Sequence, residues 1–511
     1  IYILQFLLLP QQAHLPYWIN LVFQHLVISA ILITALFFLK NLAGYYVSDK
    51  EQQFFYKVAS RISKEQLDKY YRMPYAEYVK VNGSTHFYKI SQLPVEFAHY
   101  VLRSLHQLYG QSVLIFITIT TILLYKPSVF ILLSSILVPV VLMTAFILKR
   151  KITDLRKNAK KANEVSHQFL DEALHGYVDS KIYQSHNYFT YRYSGKQSIL
   201  NNYLAGIQSV QMLPARIMET FAIGAFFVLL LSTWNGNSIS LSVTTAAAFM
   251  AAAYKVIPAL SKIINSVTHI HAYKFTVGLL NEHVTNDLVS DNHKLNIGIK
   301  SVEFKNVSFG FNSSSFIKDF NLKIQKGDFI GFSGLSGRGK TTIINLLLGF
   351  HEVREGSILL NDQETTANER AISYKHISYV KQTPFLINES LLKNITLNET
   401  ADESCINDIL EVTGLSKLIN GFKLADKTII KQEGKNISGG QKQRIAFARG
   451  LHKNFDLLIL DEPFSELDAD SERKMIRYLK SLSDKGKMVL LISHNKESFQ
   501  YCNKTISFDE Q

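Results

Sequence analysis

The feature that most constrains the fold is a series of long apolar runs, all of which lie in the first 280 residues. Residues 19–39 form a continuous run without a formal charge, close to the roughly 20 residues that a helix needs to cross a bilayer. Runs of this kind predict an all-α, polytopic membrane domain. They place five spans, at about residues 18–40, 104–125, 128–148, 212–234 and 240–264.

Basic residues indicate which side of the membrane the connecting segments face. The segment after the third span, residues 149–161, carries seven basic residues and one acid, Asp154. By the positive-inside rule, two long polar stretches, about residues 45–100 and 149–211, are predicted to be cytoplasmic and two short turns external. The net charge of +13 is explained in this way, so nucleic acid is disfavoured as a partner of this basic cluster.

The start of the sequence and a polar segment near its middle define the predicted domains. The chain begins with an apolar run rather than Met, and five spans would leave the N-terminus outside, so we expect one further membrane helix before residue 1. A signal peptide is less consistent with this apolar start than a membrane helix is, because no basic segment precedes the run. The Asn- and Asp-rich residues 281–296 separate a predicted transmembrane domain, 1–280, from a soluble domain, 300–511, with a linker at 281–299.

The second half contains a phosphate-binding motif in its expected context. The apolar run 329–333 predicts a strand, residues 334–341 read GLSGRGKT, and a helical pattern follows. The motif G-x-x-x-x-G-K-[ST] between a strand and a helix is typical of a phosphate loop, whose glycines let backbone N–H groups converge on phosphate. We predict that Lys340 contacts the β- and γ-phosphates and that the Thr341 hydroxyl binds Mg²⁺. The predicted nucleotide-binding residues of this loop are Gly334, Ser336, Gly337, Arg338, Gly339, Lys340, Thr341 and Thr342.

Two further apolar runs end in residues that suit phosphate chemistry. Residues 457–460 lead into Asp461 and Glu462, and residues 488–493 lead into His494. Ligands bind at the carboxyl ends of buried parallel strands, so Asp461 is predicted to hold Mg²⁺ through water and Glu462 to orient or deprotonate the attacking water. His494 is predicted to reach the γ-phosphate. Solvated acids at a strand end and a structural histidine are the alternatives, which the phosphate loop upstream disfavours.

The soluble half resembles the ATP-binding cassette (ABC) family over about residues 300–511. Residues 437–441, ISGGQ, resemble the family signature LSGGQ with Ile in place of Leu, and residues 465–468, SELD, resemble its D-loop. The resemblance implies an α/β P-loop NTPase domain with a helical subdomain, which binds ATP with Mg²⁺. It adds further site residues: Gln382 of the Q-loop as a catalytic residue and Mg²⁺ ligand, Phe311 as an aromatic that stacks on adenine, and Ser438, Gly439, Gly440, Gln441 and Asp468 as groups that contact nucleotide.

Three positions depart from the family pattern. Arg338 occupies a loop position that is more often small, Phe311 replaces the commoner Tyr, and Glu466 lies in a D-loop that usually reads SALD. Arg338 is expected to change nucleotide affinity and Glu466 to change communication between sites, whereas Phe311 keeps the stacking on adenine and loses the hydroxyl. The catalytic residues are all retained, which argues against a nucleotide-gated regulator, and the predicted spans argue against a soluble ABC ATPase that acts on nucleic acid.

The resemblance also implies how the chain assembles. In this family the signature of one cassette completes the nucleotide site of another, so a single cassette implies a dimer of exporter-type half-transporters, expected here to be a homodimer. A membrane half fused before the cassette implies a multi-pass protein of the bacterial inner membrane, with the cassette in the cytoplasm. The two long cytoplasmic stretches then resemble the extended helices and coupling helices of such transporters, and residues 71–78 and 183–190 are the predicted turns that dock on the cassettes.

The transported substrate is predicted from weaker features of the membrane half. Residues 176–191 and 251–259 loosely resemble bacterial flippases, which makes a lipid-linked oligosaccharide or a related amphipathic lipid the expected substrate and export of drugs or peptides the alternative. Arg216, Glu219 and Lys255 lie within or beside spans, where ionisable groups are costly and often functional. The two cations could attract a diphosphate and the glutamate could pair with either; the alternative is that all three lie at the water line.

Overall fold

In this computed structural model, the chain forms two compact units. The first contains Ile1–Met73 and Val81–Val284, and the second contains Pro74–Lys80 and Thr285–Gln511. The residues that the structure describes are 26–81, 83–125, 127–234, 239–281, 298–310, 316–397, 400, 402–417, 419, 422–431 and 434–509.

The described part of the first unit is helical throughout. In chain order the helices up to residue 281 are α1 (Leu26–Arg72), α2 (Tyr75–Tyr78, in the second unit), α3 (Gly83–Phe87), α4 (Leu93–Glu96), α5 (Arg103–Tyr125), α6 (Pro127–His175), α7 (Tyr177–Ile182), α8 (His186–Trp234) and α9 (Ile239–Asn281). Two π-helical segments, Tyr88–Gln92 and Phe97–Leu102, join α3, α4 and α5 into one helical stretch.

The longest helices extend well beyond the predicted membrane spans. Helices α6 and α8 have 49 residues each, or roughly 70 Å at 1.5 Å per residue, whereas the hydrocarbon core of a bilayer is about 30 Å thick. The long polar stretches 45–100 and 149–211 are therefore mostly helical continuations of the spans, as the resemblance implies. Helix α6 packs along α8 and α9, and its buried residues Leu148 and Ile152 contact a core that includes Met218 and Tyr273.

Two of the described helical stretches, Ala30–Arg72 and Thr85–Leu124, are long and apolar enough to cross a membrane. They overlap the predicted spans 18–40 and 104–125. The predicted spans 128–148, 212–234 and 240–264 lie inside α6, α8 and α9, and their crossing of the membrane stays a prediction. Large apolar side chains face outward on α5 and α6: Phe116, Leu124 and Phe146 are 71%, 84% and 74% exposed, as expected of a surface that contacts lipid.

The described part of the second unit contains two β-sheets and a group of helices. Its strands are β1 (Ser301–Phe309), β2 (Ile317–Gln325), β3 (Phe329–Ser333), β4 (Glu355–Leu360), β5 (Gln363–Glu364), β6 (Ile377–Val380), β7 (Leu457–Asp461), β8 (Met488–Ile492) and β9 (Lys504–Ser507). An antiparallel sheet has the order β2-β1-β4-β5, and a parallel sheet has the order β6-β7-β8-β3-β9. Strands β7 and β8 are buried along their whole length, which explains why they read as continuous apolar runs.

The helices of this unit divide into those that flank the sheet and those that form a separate core. They are α10 (Lys340–Leu347), α11 (Ala367–Ile372), α12 (Leu391–Thr396), α13 (Glu403–Val412), α14 (Phe422–Lys427), α15 (Gly439–His452) and α16 (Ala469–Asp484). Helices α12 to α15 pack around a core that includes Leu391, Ile406 and Ile445. The predicted fold class is thus confirmed: a helical domain is followed by an α/β domain with a helical subdomain.

The parallel sheet brings three predicted site segments to one edge. Strands β3 and β8 pair so that Phe332 lies opposite Ile492, and β7 and β8 pair so that Asp461 also lies opposite Ile492. The phosphate loop after β3, the acids at the end of β7 and His494 after β8 therefore leave the sheet at the same carboxyl edge. This is the edge at which ligands bind in parallel α/β sheets.

Candidate nucleotide-binding site

The phosphate loop has a backbone conformation that glycine favours. Gly334, Gly337 and Gly339 have φ of 136°, 82° and 97°, and Gly339 is the N-cap of α10. Side chains with a Cβ rarely adopt these angles, whereas glycine does so at little cost. The spacing of the glycines in the motif is thus explained by backbone with positive φ in the turn that leads from β3 to the N-terminus of α10.

Lys340, the first residue of α10, carries a buried charge. It is 6% exposed, and its Nζ donates to the carbonyl oxygens of Gly334, at 2.5 Å, and Leu335, at 2.9 Å. Within the part of the chain that the structure describes, Lys340 forms no ion pair. A buried ammonium group without a counter-ion is costly, so the loop fits an anionic ligand such as a phosphate group.

Asp461 lies beside the loop and accepts two hydroxyl hydrogen bonds. Thr341 Oγ1 and the Tyr379 hydroxyl each donate to Asp461 Oδ2 at 3.3 Å. Burial raises the pKa of the Asp461 carboxyl above its ordinary value, and these two hydrogen bonds oppose that shift. A buried carboxylate next to a threonine hydroxyl offers the hard oxygen ligands that Mg²⁺ prefers, so the residues at this position fit the ion.

Glu462 contacts two of the other predicted catalytic residues, Gln382 and His494. Gln382 Nε2 donates to Glu462 Oε2 at 2.9 Å, and His494 Nε2 lies 3.0 Å from Glu462 Oε1. Glu462 also has φ of 49°, a left-handed conformation that is uncommon outside glycine and that often occurs at functional sites. One carboxylate thus holds the Q-loop glutamine and the histidine together at the carboxyl edge of the sheet.

The signature residues cap helix α15. The Ser438 side chain accepts from the Gln441 N–H at 3.3 Å, and Gln441 Oε1 accepts from the Ser438 N–H at 2.9 Å. This reciprocal capping box fixes the helix N-terminus. No hydrogen bond among the described residues joins the signature to the phosphate loop of the same chain.

The D-loop is tied to the signature helix by two residues to which the sequence analysis gave no role. Gln443 Nε2 donates to Ser465 Oγ at 2.5 Å, and Gln443 Oε1 accepts from the Glu466 N–H at 2.9 Å. Arg444 donates to Asp468 at 3.0 Å, and Asp468 caps α16. Their position directly after the signature was visible in the sequence, but their partners lie more than twenty residues away.

The two signature glycines differ in the room that a methyl group would find. A Cβ on Gly440 would lie 2.7 Å from the backbone oxygen of Glu466, whereas a Cβ on Gly439 would meet the end of the flexible Glu466 side chain. Gly440→Ala is therefore expected to lower the midpoint of thermal unfolding more than Gly439→Ala, since backbone must move only in the first case. Equal midpoints would contradict this packing.

The remaining predicted residues belong to the first unit or fall outside the described residues. Arg216, Glu219 and Lys255 are exposed, and no ion pair joins them among the described side chains; Glu219 therefore pairs with neither cation in this structure. Phe311 lies outside the described residues.

The first predicted docking turn overlaps a segment of the second unit. Helix α2 belongs to that unit, and the Tyr75 ring stacks on Phe350 with a centroid distance of 4.3 Å. Residues 183–190, the second predicted docking turn, follow α7 and include the first turn of α8 in the first unit, where Tyr183 is exposed.

Comparisons with known proteins agree with this geometry. A profile described as ABC transporter matches residues 317–465. An export ATP-binding/permease protein of Rickettsia typhi is 37% identical over 214 residues, which cover 41% of this chain and 37% of that protein. An ATP-dependent lipid A-core flippase of Saccharophagus degradans is 30% identical over 296 residues, or 57% of this chain and 50% of that protein. The chain thus spans half or less of the length of these relatives.

The fold is similar over nearly the whole chain to a solved structure of a bacterial Atm1-family ABC exporter with ATP bound. The TM-score is 0.80 with 17% sequence identity, and the alignment covers 99% of this chain and 89% of that chain. The similarity extends through the helical unit, beyond the residues that the family profile matches.

Proposed function

We propose that this chain, a member of the ABC transporter family through residues 317–465, is the half-transporter of an ATP-driven exporter or flippase. The observation that carries the proposal is the Glu462 carboxylate, which contacts Gln382 and His494 at the sheet edge that also holds the phosphate loop. A nucleotide site with this set of groups supports hydrolysis rather than binding alone.

We assign the roles within one nucleotide site from these contacts. The loop N–H groups and Lys340 bind the ATP phosphates, and Glu462 orients or deprotonates the attacking water, held in place by His494. Thr341, Gln382 and Asp461 would hold Mg²⁺, which supplies positive charge that neutralises the β- and γ-phosphates. The other proposed contacts are Gly334, Ser336, Gly337, Arg338, Gly339 and Thr342 with phosphate and Phe311 with adenine.

A second copy of the chain is proposed to complete each nucleotide site. Ser438, Gly439, Gly440, Gln441 and Asp468 would contact the ATP bound by the partner. ATP binding then closes the two cassettes and turns the transport pathway outward, and hydrolysis separates them. ATP can drive this switch only through its different affinity for the closed and open states.

The proposed substrate is a lipid-linked oligosaccharide or a related amphipathic lipid, and drug or peptide export is the alternative. The Saccharophagus degradans relative, an ATP-dependent lipid A-core flippase, favours a lipid. Arg216 and Lys255 are exposed cations on helices that contain predicted spans, and they are proposed to attract its phosphate groups. We propose that the protein lies in a bacterial-type inner membrane, with its cassettes in the cytoplasm.

ATP turnover of the protein in lipid nanodiscs tests this proposal, measured with and without a lipid-linked oligosaccharide. We expect the lipid to stimulate turnover above the background set by Glu462→Gln, and Arg216→Gln with Lys255→Gln to reduce the stimulation. Turnover that is indifferent to the lipid would favour the alternative cargo. The absence of turnover above the Glu462→Gln background would contradict an active transporter.

A further inference from the structure

The first unit contains a cavity that the proposed ATP chemistry does not use. Its volume is about 570 Å³, within the range of about 300–1,000 Å³ that is typical of small-molecule sites. One wall of the cavity is the helical stretch that contains the two π-helical segments. The other walls belong to helices α6, α8 and α9. All of its lining residues belong to the first unit.

The charged wall of the cavity is centred on Arg156. Its guanidinium lies 4.0 Å from the Tyr273 ring centroid and 5.4 Å from that of Tyr100, and 16% of its side chain is exposed. Its one hydrogen bond among the described residues is a long contact of 3.5 Å to Glu96 Oε1. Glu96 also accepts a hydrogen bond from the Tyr88 hydroxyl at 2.9 Å, so several guanidinium donors remain available to a ligand.

A second cation lines the same cavity. Lys160 Nζ lies 4.9 Å from the Phe275 ring centroid, and Lys160 forms no ion pair with any described residue. Among the described residues that line the cavity, Arg156 and Lys160 are cations and Glu96 is the one carboxylate. The lining therefore carries a surplus of positive charge, which favours an anionic ligand.

The backbone around the cavity is irregular in a way that points to a binding role. The two π-helical segments, Tyr88–Gln92 and Phe97–Leu102, flank α4, which contains Pro94. Proline has no N–H to donate to the preceding turn, which accounts for the first break in regular α-helical bonding. π-Helical turns are rare and occur frequently at functional sites; here they carry the cavity-lining residues Tyr88 and Tyr100.

Part of the cavity lining is apolar. Leu200 and Leu204 of α8 contribute to it, together with Ala159 of α6 and Val95 of α4. We propose that this cavity binds an amphipathic anion, whose phosphate or carboxylate group contacts Arg156 and Lys160 while its apolar part lies against α8. The cavity lies on predicted cytoplasmic extensions, so the ligand is either a membrane lipid with a phosphate headgroup or a soluble amphiphile of the same chemistry.

This inference goes beyond the proposed function and requires no ATP, so binding is measured on nucleotide-free protein in dodecyl maltoside. Dioctanoyl phosphatidic acid is titrated as the lipid probe and octyl phosphate as the soluble probe, and the midpoint of thermal unfolding is followed. We expect both phosphate amphiphiles to raise the midpoint in a saturable way. The probe with the lower apparent Kd identifies the source of the ligand.

The variants separate the cavity from general surface charge. Lys160→Gln and Arg156→Gln should each raise the apparent Kd at least tenfold. Lys157→Gln, on an exposed position of the same helix, should leave it unchanged, and Lys160→Arg should restore binding. An equal loss of affinity in the Lys157→Gln and Lys160→Gln variants would overturn the proposal. So would a rise in the unfolding midpoint with inorganic phosphate or dioctanoylglycerol that equals the rise with the phosphate amphiphiles.

Discussion

Glu462→Gln is expected to reduce the rate of ATP hydrolysis by about 100- to 10,000-fold, the usual contribution of a positioned general base. The amide has the size of the carboxylate and can keep the contact with His494, which lies 3.0 Å from the Glu462 carboxylate in the native chain. It cannot accept a proton from water, so chemistry fails while the site stays formed. Steady-state phosphate release measures the lower rate of hydrolysis. Equilibrium binding of a fluorescent ATP analogue should show that the affinity for nucleotide is unchanged.

A matched carboxylate in the same domain controls for the loss of charge. Glu497 is exposed and follows β8, and Glu497→Gln should leave turnover within twofold of the native rate. The turnover rate of His494→Ala should lie between those of Glu462→Gln and Glu497→Gln, because this change removes the partner of Glu462 and not the base itself. Native turnover in Glu462→Gln would show that another group activates the water.

Lys340→Ala is expected to weaken ATP binding by about 10- to 100-fold, because charge-assisted hydrogen bonds contribute about 1.5–3 kcal/mol each. Without nucleotide the same change should not lower stability, since it removes a buried ammonium group that has no ion pair among the described residues. Equilibrium binding of the fluorescent analogue and the nucleotide-free midpoint of thermal unfolding together separate these effects.

Lys326→Ala is the control for Lys340→Ala, because Lys326 is exposed in the same domain and should leave affinity unchanged. A lower midpoint of thermal unfolding for nucleotide-free Lys340→Ala would mean that the ammonium group mainly stabilises the loop through its hydrogen bonds to the carbonyl oxygens of Gly334 and Leu335, and not through phosphate. Unchanged affinity in Lys340→Ala would contradict the assignment of this loop as the nucleotide site.

The buried strands could be predicted because both of their faces are covered. Such strands have no polar face, so 457–460 and 488–492 read as continuous apolar runs, and their ends mark the functional edge. The glycines at 334, 337 and 339 could be predicted for a similar reason, since a local backbone requirement selects the residue type directly.

Features that depend on distant contacts could not be predicted in this way. Gln382 and Glu462 are 80 residues apart in the chain, and the left-handed conformation of Glu462 has no residue-type signal, because glutamate does not favour it. The polar stretch 149–211 continues α6 and α8 as helix over most of its length, which the family resemblance implies but the hydropathy of the stretch does not. Hydropathy identifies the part of a helix that suits lipid and not the point at which the helix ends.

ATP-driven movement of a lipid between leaflets tests the central claim most directly. The protein is reconstituted in liposomes that contain a fluorescent phospholipid, and the fraction of label protected from an external quencher is followed after ATP and Mg²⁺ are added. The account predicts a change in the protected fraction with the native protein and none with Glu462→Gln or Lys340→Ala. Movement at the same rate in native protein and in both variants would contradict transport driven by this nucleotide site.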